Sequence, residues 1–291
     1  MKVIPHAKPF AWGRVAPAKF ASFIRTERPD GCAVALLGLP DDTGVKLNNG
    51  RPGAAEGPAA FRAALARLGT GEPTGVAWPR VFDAGDVVPG DSLEETHARV
   101  TAATGALLKT GLLPVAIGGG HDLTFPFVRA VAKATSTLTG IYFDAHLDVR
   151  ETRGSGMSFR KLIEECGVQT LHLHGFRPLV NSRAHVAWFA MHGGKVHREG
   201  ERVRLPKGRK LFASFDLDVI DMAFAPAVSA ANPVGWTPRE AERWVRACGA
   251  DRRVQCFDLM ELCPRHDEGG RTARLAAHLF LTFLAGFAAR P

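Results

Sequence analysis

The sequence predicts an α/β fold, a mostly parallel sheet covered by helices on both faces. Three observations lead there. Short apolar runs rich in β-formers recur along the chain, among them Val34 to Leu37, Ile141 to Phe143 and Leu211 to Phe215. Between them lie longer stretches with apolar residues at helical spacing. No internal repeat, low-complexity tract or linker interrupts the alternation, so the 291 residues are read as a single domain.

Residues 1–30, with Pro5, Pro9 and Pro17, read as an irregular arm over that domain. Val34 to Leu37 is the first strand, ending in Gly38-Leu39-Pro40-Asp41-Asp42. The loop that follows, with Asn48, Asn49, Gly50, Arg51 and Gly53, is too long for a connector and is a candidate site wall. Pro58 suits the first turn of a helix whose apolar face is Phe61, Leu65 and Leu68. Val81 and Phe82 start a second strand, closed by Asp83-Ala84-Gly85-Asp86. Ser92 with Glu95 has the spacing of a capping box and opens a helix through Lys109. Pro114 to Ile117 is a third strand, cut off by Gly118-Gly119-Gly120-His121-Asp122.

A helix from Thr124 to Ala134 leads to the strand Ile141 to Phe143. Then come a Gly/Ser loop at 152–156, a helix near 159–165, a strand Thr170 to His174, a helix near 182–191 and a short strand Lys195 to His197. Leu211 to Phe215 ends in Asp216-Leu217-Asp218 and is followed by a long loop through Pro226 and Pro233. Thr237 caps a helix with Glu240 completing its box, and Val254 to Phe257 is the last strand, ending Asp258-Leu259-Met260-Glu261. In the terminal helix, Thr272 to Ala289, an apolar residue recurs every fourth position: Leu275, Leu279, Phe283, Phe287.

In such sheets ligands bind beyond the carboxyl ends of the strands. Asp42, Asp86, His121, Asp148, Asp218 and Glu261 all fall there. If the strand continued through Asp144, His146 and Asp148, these alternate residues would project to one side. Buried without a partner they would be costly, and a cation resolves the cost. Any one strand end could be a polar turn. Three of them, Gly-Gly-Gly-His121, Asp144-x-His146-x-Asp148 and Asp216-x-Asp218, supply two imidazoles and four carboxylates and point to a metal site. The carboxylates' formal charge of about −4 matches two divalent ions. Mixed Asp and His ligands suit Mn²⁺, with Fe²⁺, Co²⁺, Ni²⁺ or Zn²⁺ also compatible. Two such ions roughly 3.5–4 Å apart activate water, so the chemistry read here is metal-assisted hydrolysis.

Composition narrows the partners. The net charge of +8 is scattered, with no basic run interleaved with aromatics, so no nucleic-acid surface is expected. Cys32, Cys166, Cys248, Cys256 and Cys263 form no CxxC pair, which argues against a disulfide scaffold or a zinc–thiolate site. The N-terminus lacks the core of a signal peptide, and the apolar stretch Leu279 to Ala289 is too short to span a bilayer. A cytoplasmic protein with no membrane partner is expected.

Gly-Gly-Gly-His121-Asp, Tyr-Phe-Asp144-Ala-His146-Leu-Asp148 and Ser214-Phe-Asp216-Leu-Asp218-Val-Ile-Asp221 resemble the three signatures of the ureohydrolase (arginase/agmatinase) superfamily. The resemblance implies a three-layer α/β/α sandwich with a central parallel sheet of about eight strands, a binuclear manganese site and a homo-oligomer. Carried over by position, His121 and Asp148 bind one ion, His146 and Asp218 the other, and Asp144 and Asp216 touch both. Asp148 also holds the bridging hydroxide, and Glu261 grips the amidine or guanidine cation of the substrate. Arginases carry a histidine proton shuttle where Phe159 follows Ser155-Gly156-Met157-Ser158 here, so that shuttle is missing. Asp148-Val-Arg150, Ser155-Gly-x-x-Phe-Arg160, the Gly50-Arg51 loop, Gly175-Phe-Arg177 and the segment after Glu261 resemble the formimidoylglutamase branch, which converts N-formimino-L-glutamate to L-glutamate and formamide. On that reading Arg150, Ser155, Arg177, Arg51 and Arg160 bind a substrate rich in carboxylates. The leaving amine takes its proton from Asp148, from bulk water or from another histidine, for which His172 and His174 are candidates, though each reads more readily as a core histidine. The alternatives are an agmatinase, arginase or other guanidino-acid hydrolase, and an inactive metal-binding scaffold.

Overall fold

The computed structural model describes residues 4–71, 77–135, 137–198, 200 and 202–290. Its strands are β1 (Ala7–Lys8), β2 (Val34–Leu39), β3 (Val81–Val87), β4 (Leu113–Gly118), β5 (Thr139–Phe143), β6 (Thr170–His174), β7 (Gly194–Val196), β8 (Leu211–Asp216) and β9 (Val254–Met260). They form one sheet in the order β1-β3-β2-β4-β9-β8-β5-β6-β7. Every pairing is parallel except the antiparallel edge β1–β3. The helices are α1 (Thr43–Leu47), α2 (Gly57–Leu65), α3 (Leu93–Leu108), α4 (Thr124–Ala134), α5 (Ser158–Cys166), α6 (Arg183–Met191), α7 (Pro238–Ala250) and α8 (Arg271–Ala288).

Strand periodicity sorts side chains into two cores. Val34, Leu36, Val115, Ile117, Ile141 and Phe143 face one way and pack with Phe61, Trp244, Leu279 and Phe283 of α2, α7 and α8. Ala35, Leu37, Ala116, Tyr142, Leu171 and Leu173 face the other, against Val100, Phe127, Leu162 and Phe189 of α3 to α6. The result is helices, sheet, helices, as expected. Thr237 and Glu240 make the reciprocal capping box at α7. At α3 Ser92 accepts the Glu95 N–H, but the Glu95 side chain turns to the Asp91 N–H instead.

Three expectations change. The arm is not wholly irregular: Ala7–Lys8 adds an edge strand, and Trp12 donates its indole N–H to Asp83 at 2.8 Å. The second strand does not close at Asp83-Ala84-Gly85-Asp86 but runs through it to Val87. The reason is Arg62, fully buried on α2, which bonds Asp83 at 2.8 Å and Asp86 at 2.5 Å and so makes carboxylates tolerable inside a strand. Lastly, β5 stops at Phe143, so Asp144, His146 and Asp148 do not lie along an extended strand.

Candidate metal centre

β4, β9, β8 and β5 are neighbours in the sheet, and their carboxyl ends carry His121, Glu261, Asp216 with Asp218, and Asp144 to Asp148. Four residues of extended chain span roughly 13 Å, too far for Asp144 and Asp148 to reach one atom. The chain instead turns. Asp144 N–H donates to the His174 carbonyl at 3.0 Å, and Asp148 adopts a left-handed backbone, φ +47°. The turn brings Asp144 Oδ2 to 3.1 Å and Asp148 Oδ2 to 3.0 Å from His121 Nδ1, with Asp216 Oδ2 at 3.0 Å from the same nitrogen. The second half is His146 Nδ1, 3.3 Å from Asp144 Oδ1 and 2.9 Å from Asp218 Oδ2. Asp144 belongs to both halves, which are His121–Asp144–Asp148 and Asp144–His146–Asp218.

These six side chains fit a cation pair by their bonding as well as their chemistry. His121 Nδ1 and Asp144 Oδ2 are buried, and neither has a well-formed hydrogen bond among the described residues. The other ring nitrogen is occupied: His121 Nε2 lies 3.1 Å from Ser214 Oγ, which donates to Asp258 Oδ1 at 2.6 Å, while Thr124 donates to Asp258 Oδ2 at 3.1 Å. That buried chain places the imidazole proton on Nε2 and leaves the Nδ1 lone pair aimed at the carboxylates, as a ligand's should be. The triple glycine has a steric cause: a Cβ on Gly119 would lie 1.8 Å from the Asp41 carbonyl, and one on Gly118 1.9 Å from Met260 Sδ.

The charges are frustrated without an ion. Burial, then Asp218 and Asp148, raise Asp144 to about 6. Burial also raises Asp258 to about 6 and Glu261 to about 7, the latter against Ser229 and the His121 N–H. For His146 burial opposes ionisation, but Asp218 and Asp144 hold it up at about 12. The folded chain thus keeps carboxyl protons that the unfolded chain releases between about pH 4 and 7. These groups contribute stability that is lost as pH rises through that window, against the opposite contribution of His172 and His174, whose pKa values are lowered. His146 extends the fall above its ordinary value of 6.5. EDTA-treated protein is therefore expected to melt at lower temperature at pH 7.5 than at pH 5. Added Mn²⁺ should raise the melting temperature more at the higher pH, as read by scanning fluorimetry.

A cavity of about 120 Å³ opens over the cluster, lined in part by His121, His146, Asp148, Asp216, Asp218 and Glu261. Glu261, also left-handed at φ +69°, accepts the His121 N–H on Oε1 at 2.8 Å, and its Oε2 has no well-formed bond among the described residues. Of the other residues expected to meet substrate, Arg150 and Ser155 line this cavity. Arg51 does not: its guanidinium is committed to the carbonyls of Pro226, Val228 and Ser229. Arg160 lies over the Trp188 ring at 4.7 Å and pairs with Glu164. Arg177 is likewise outside the wall, its backbone N–H on the Ala145 carbonyl at 3.0 Å. Asp86 is taken by Arg62, and Asp42 by Lys46 and the Gly53 N–H.

Phe159 is buried, stacked on Tyr142 at 3.6 Å and edge-on to His121 at 5.3 Å. His172 and His174 are away from the cavity, in a stack with His197 and Trp244, where burial lowers them to about 4 and 3. The third histidine of the cavity is His185, in the first turn of α6, beside Asn48, Asn181 and Ser229. Asn48 lies in the over-long loop after β2 that the sequence marks as a candidate site wall, and it does line the cavity. The other three lie in ordinary polar stretches and were not expected at the site; the signal available was position, Asn181 and His185 just beyond Gly175-Phe-Arg177.

The arginase family model matches residues 32–286. The chain is 34% identical over 275 residues to a formimidoylglutamase of Geobacillus thermodenitrificans, covering 88% of this chain and 84% of that one. It is 31% identical over 280 residues to the human mitochondrial guanidino acid hydrolase, covering 88% and 78%. A crystal structure of Trypanosoma cruzi formiminoglutamase with Mn²⁺ superimposes with a TM-score of 0.88 at 31% identity, covering 94% of this chain and 99% of that one. Shared along almost the whole length, with the three motifs meeting over the carboxyl ends of the central strands, these likenesses place the chain in the arginase family of metal-dependent hydrolases acting on carbon–nitrogen bonds of linear amidines.

Proposed function

We propose that the protein hydrolyses N-formimino-L-glutamate to L-glutamate and formamide with two Mn²⁺ ions. The observation that carries this reading is one cavity lined by charges of both signs: carboxylates with buried Glu261, and the exposed Arg150. A cationic amidine and an anionic glutamate tail suit those charges. His121 and Asp148 would hold one ion and His146 and Asp218 the other, with Asp144 and Asp216 placed to serve both. When bound, such a pair lowers the pKa of water toward neutrality and supplies the nucleophile.

The chain's own residues do the rest. Asp148 accepts a hydrogen bond from the attacking water and fixes its approach to the amidine carbon. Glu261, raised to about 7 by burial, is returned to its charged form by the incoming amidinium and keeps that group cationic and electrophilic. As the C–O bond forms and the C–N bond breaks, the departing glutamate nitrogen needs a proton. His185 is placed to relay it, since burial, then Arg150 and Arg160, hold its pKa below the ordinary value and leave it able to accept the proton from water first. His185→Asn should lower kcat about 10²-fold and flatten its pH profile.

Turnover tests the reading: glutamate and formamide should form from formiminoglutamate in stoichiometric amounts, and urea from agmatine or guanidino acids only slowly. The reverse preference would overturn the choice of substrate. Arg150→Ala should raise KM for formiminoglutamate about 30-fold, the equivalent of ~2 kcal/mol for a charge-assisted contact. Little change in kcat is expected. The single sheet threading residues 7–260 supports reading the chain as one catalytic domain. Five free cysteines fit a reducing cytoplasm. Among the described residues no helix is long and apolar enough to cross a membrane. A homo-oligomer is expected, and light scattering on purified protein would show it.

A further inference from the structure

His146 and Asp148 serve opposite halves of the cluster, and one residue, Leu147, separates them. Both polar groups of that residue's backbone are taken by side chains. Its N–H donates to Asn181 Oδ1 at 3.0 Å, and its carbonyl accepts the Tyr142 hydroxyl at 3.0 Å. Asn181 Nδ2 donates in turn to the carbonyls of Ala145 at 2.9 Å and Arg177 at 2.8 Å, so both ends of the amide are engaged. Tyr142 is fully buried and stacked on Phe159, whose backbone N–H holds the Asp148 carbonyl at 3.0 Å. Asp148 is left-handed, a backbone state that a residue with a Cβ keeps only where its surroundings over-determine it.

We propose that Tyr142 and Asn181 are positioning residues that grip the Leu147 peptide from two directions and so set the spacing between the two ion half-sites. The inference rests on the assignment of the six ligands and assigns neither residue a contact with an ion. Tyr142 reaches the loop from within β5, and Asn181 from the segment before α6. Asn181 also lines the cavity beside Val180 and His185. Its amide therefore ties the substrate wall to the loop that carries His146 and Asp148. The two side chains are predicted to differ in effect. Tyr142 acts on the spacing alone, and Asn181 acts on the spacing and on the wall.

The test is Mn²⁺ titration calorimetry on the full chain, with hydrogen exchange at the Leu147 amide of the metal-free protein. Wild type should show two bound ions and a protected amide. Tyr142→Phe, which removes only the hydroxyl, should weaken binding of one ion at least about 10-fold while the other is held as before. KM for formiminoglutamate should stay unchanged as kcat falls. Asn181→Ala should weaken the same ion, expose the Leu147 amide to exchange and raise KM as well. Asn181→Asp keeps the acceptor for Leu147 and loses the two donors, so amide protection should return while KM stays high. It also carries the test if the alanine variant fails to fold. Two ions bound with wild-type affinity in Tyr142→Phe would overturn the proposal, as would a Leu147 amide still protected in Asn181→Ala or left exposed in Asn181→Asp. Absence of formiminoglutamate turnover by the wild type would overturn the substrate and leave the ion-binding result to stand or fall by itself.

Discussion

Replacing Asp144 by alanine is expected to reduce hydrolysis more than about 10³-fold, because each half of the centre loses the carboxylate they share. The same change should leave less than two equivalents of Mn²⁺ after dialysis, read by elemental analysis. Its effect on the metal-free fold is set by two opposing contributions. Asp144 is wholly buried, and without an ion its charge is opposed by burial, Asp218 and Asp148. Removing it relieves that opposition but takes the acceptor from the His146 N–H, at 2.6 Å, and a counter-charge from His121 and His146. The metal-free variant should therefore melt within a few degrees of metal-free wild type. Near-normal activity with two ions retained would show that the cluster is not where the reaction occurs. A fold lost in the absence of metal would show that its contacts with His121 and His146 outweigh the opposition to its charge.

Glu261→Gln should rank next, with kcat/KM for a cationic amidine falling about 10²- to 10³-fold and metal content unchanged. Glutamine keeps the shape and leaves an oxygen to accept the His121 N–H at the 2.8 Å seen here, so the ligand stays in place. Only the negative charge facing the amidinium goes. The steady-state ratio of variant to wild type, measured with metal saturating, isolates that charge. A loss of Mn²⁺ in this variant would instead mean that Glu261 acts through His121.

Much of this centre was legible because its chemistry demands particular residue types. Carboxylates and imidazoles at three strand ends have few other uses, and His121, Asp144, His146, Asp148, Asp216 and Asp218 do meet. How they meet was not legible. Alternation along a strand would have put these residues on one side but too far apart to share an ion, and nothing in Ala145 or Leu147 announces a turn that depends on Asn181, more than thirty residues away. The same limit explains β3. Asp83 and Asp86 look like a strand's end until Arg62, on another element, neutralises them. Arg51 misled in the opposite sense: a cation on a site-facing loop suggests a ligand, but carbonyls of the loop at 226–229 had already claimed it. Local pattern reports what a residue is able to do, and a distant partner decides whether it is at liberty to do it.

The place of β9 in the sheet bears on how the protein is made. It leaves the ribosome after the other eight described strands, yet it lies between β4 and β8 at the middle. Until residues 254–260 emerge, β4 and β8 each present a bare edge, the kind of surface that pairs with a neighbouring nascent chain. A ribosome stalled before that point holds a product with its halves unjoined, and a truncation there should aggregate rather than yield a smaller enzyme.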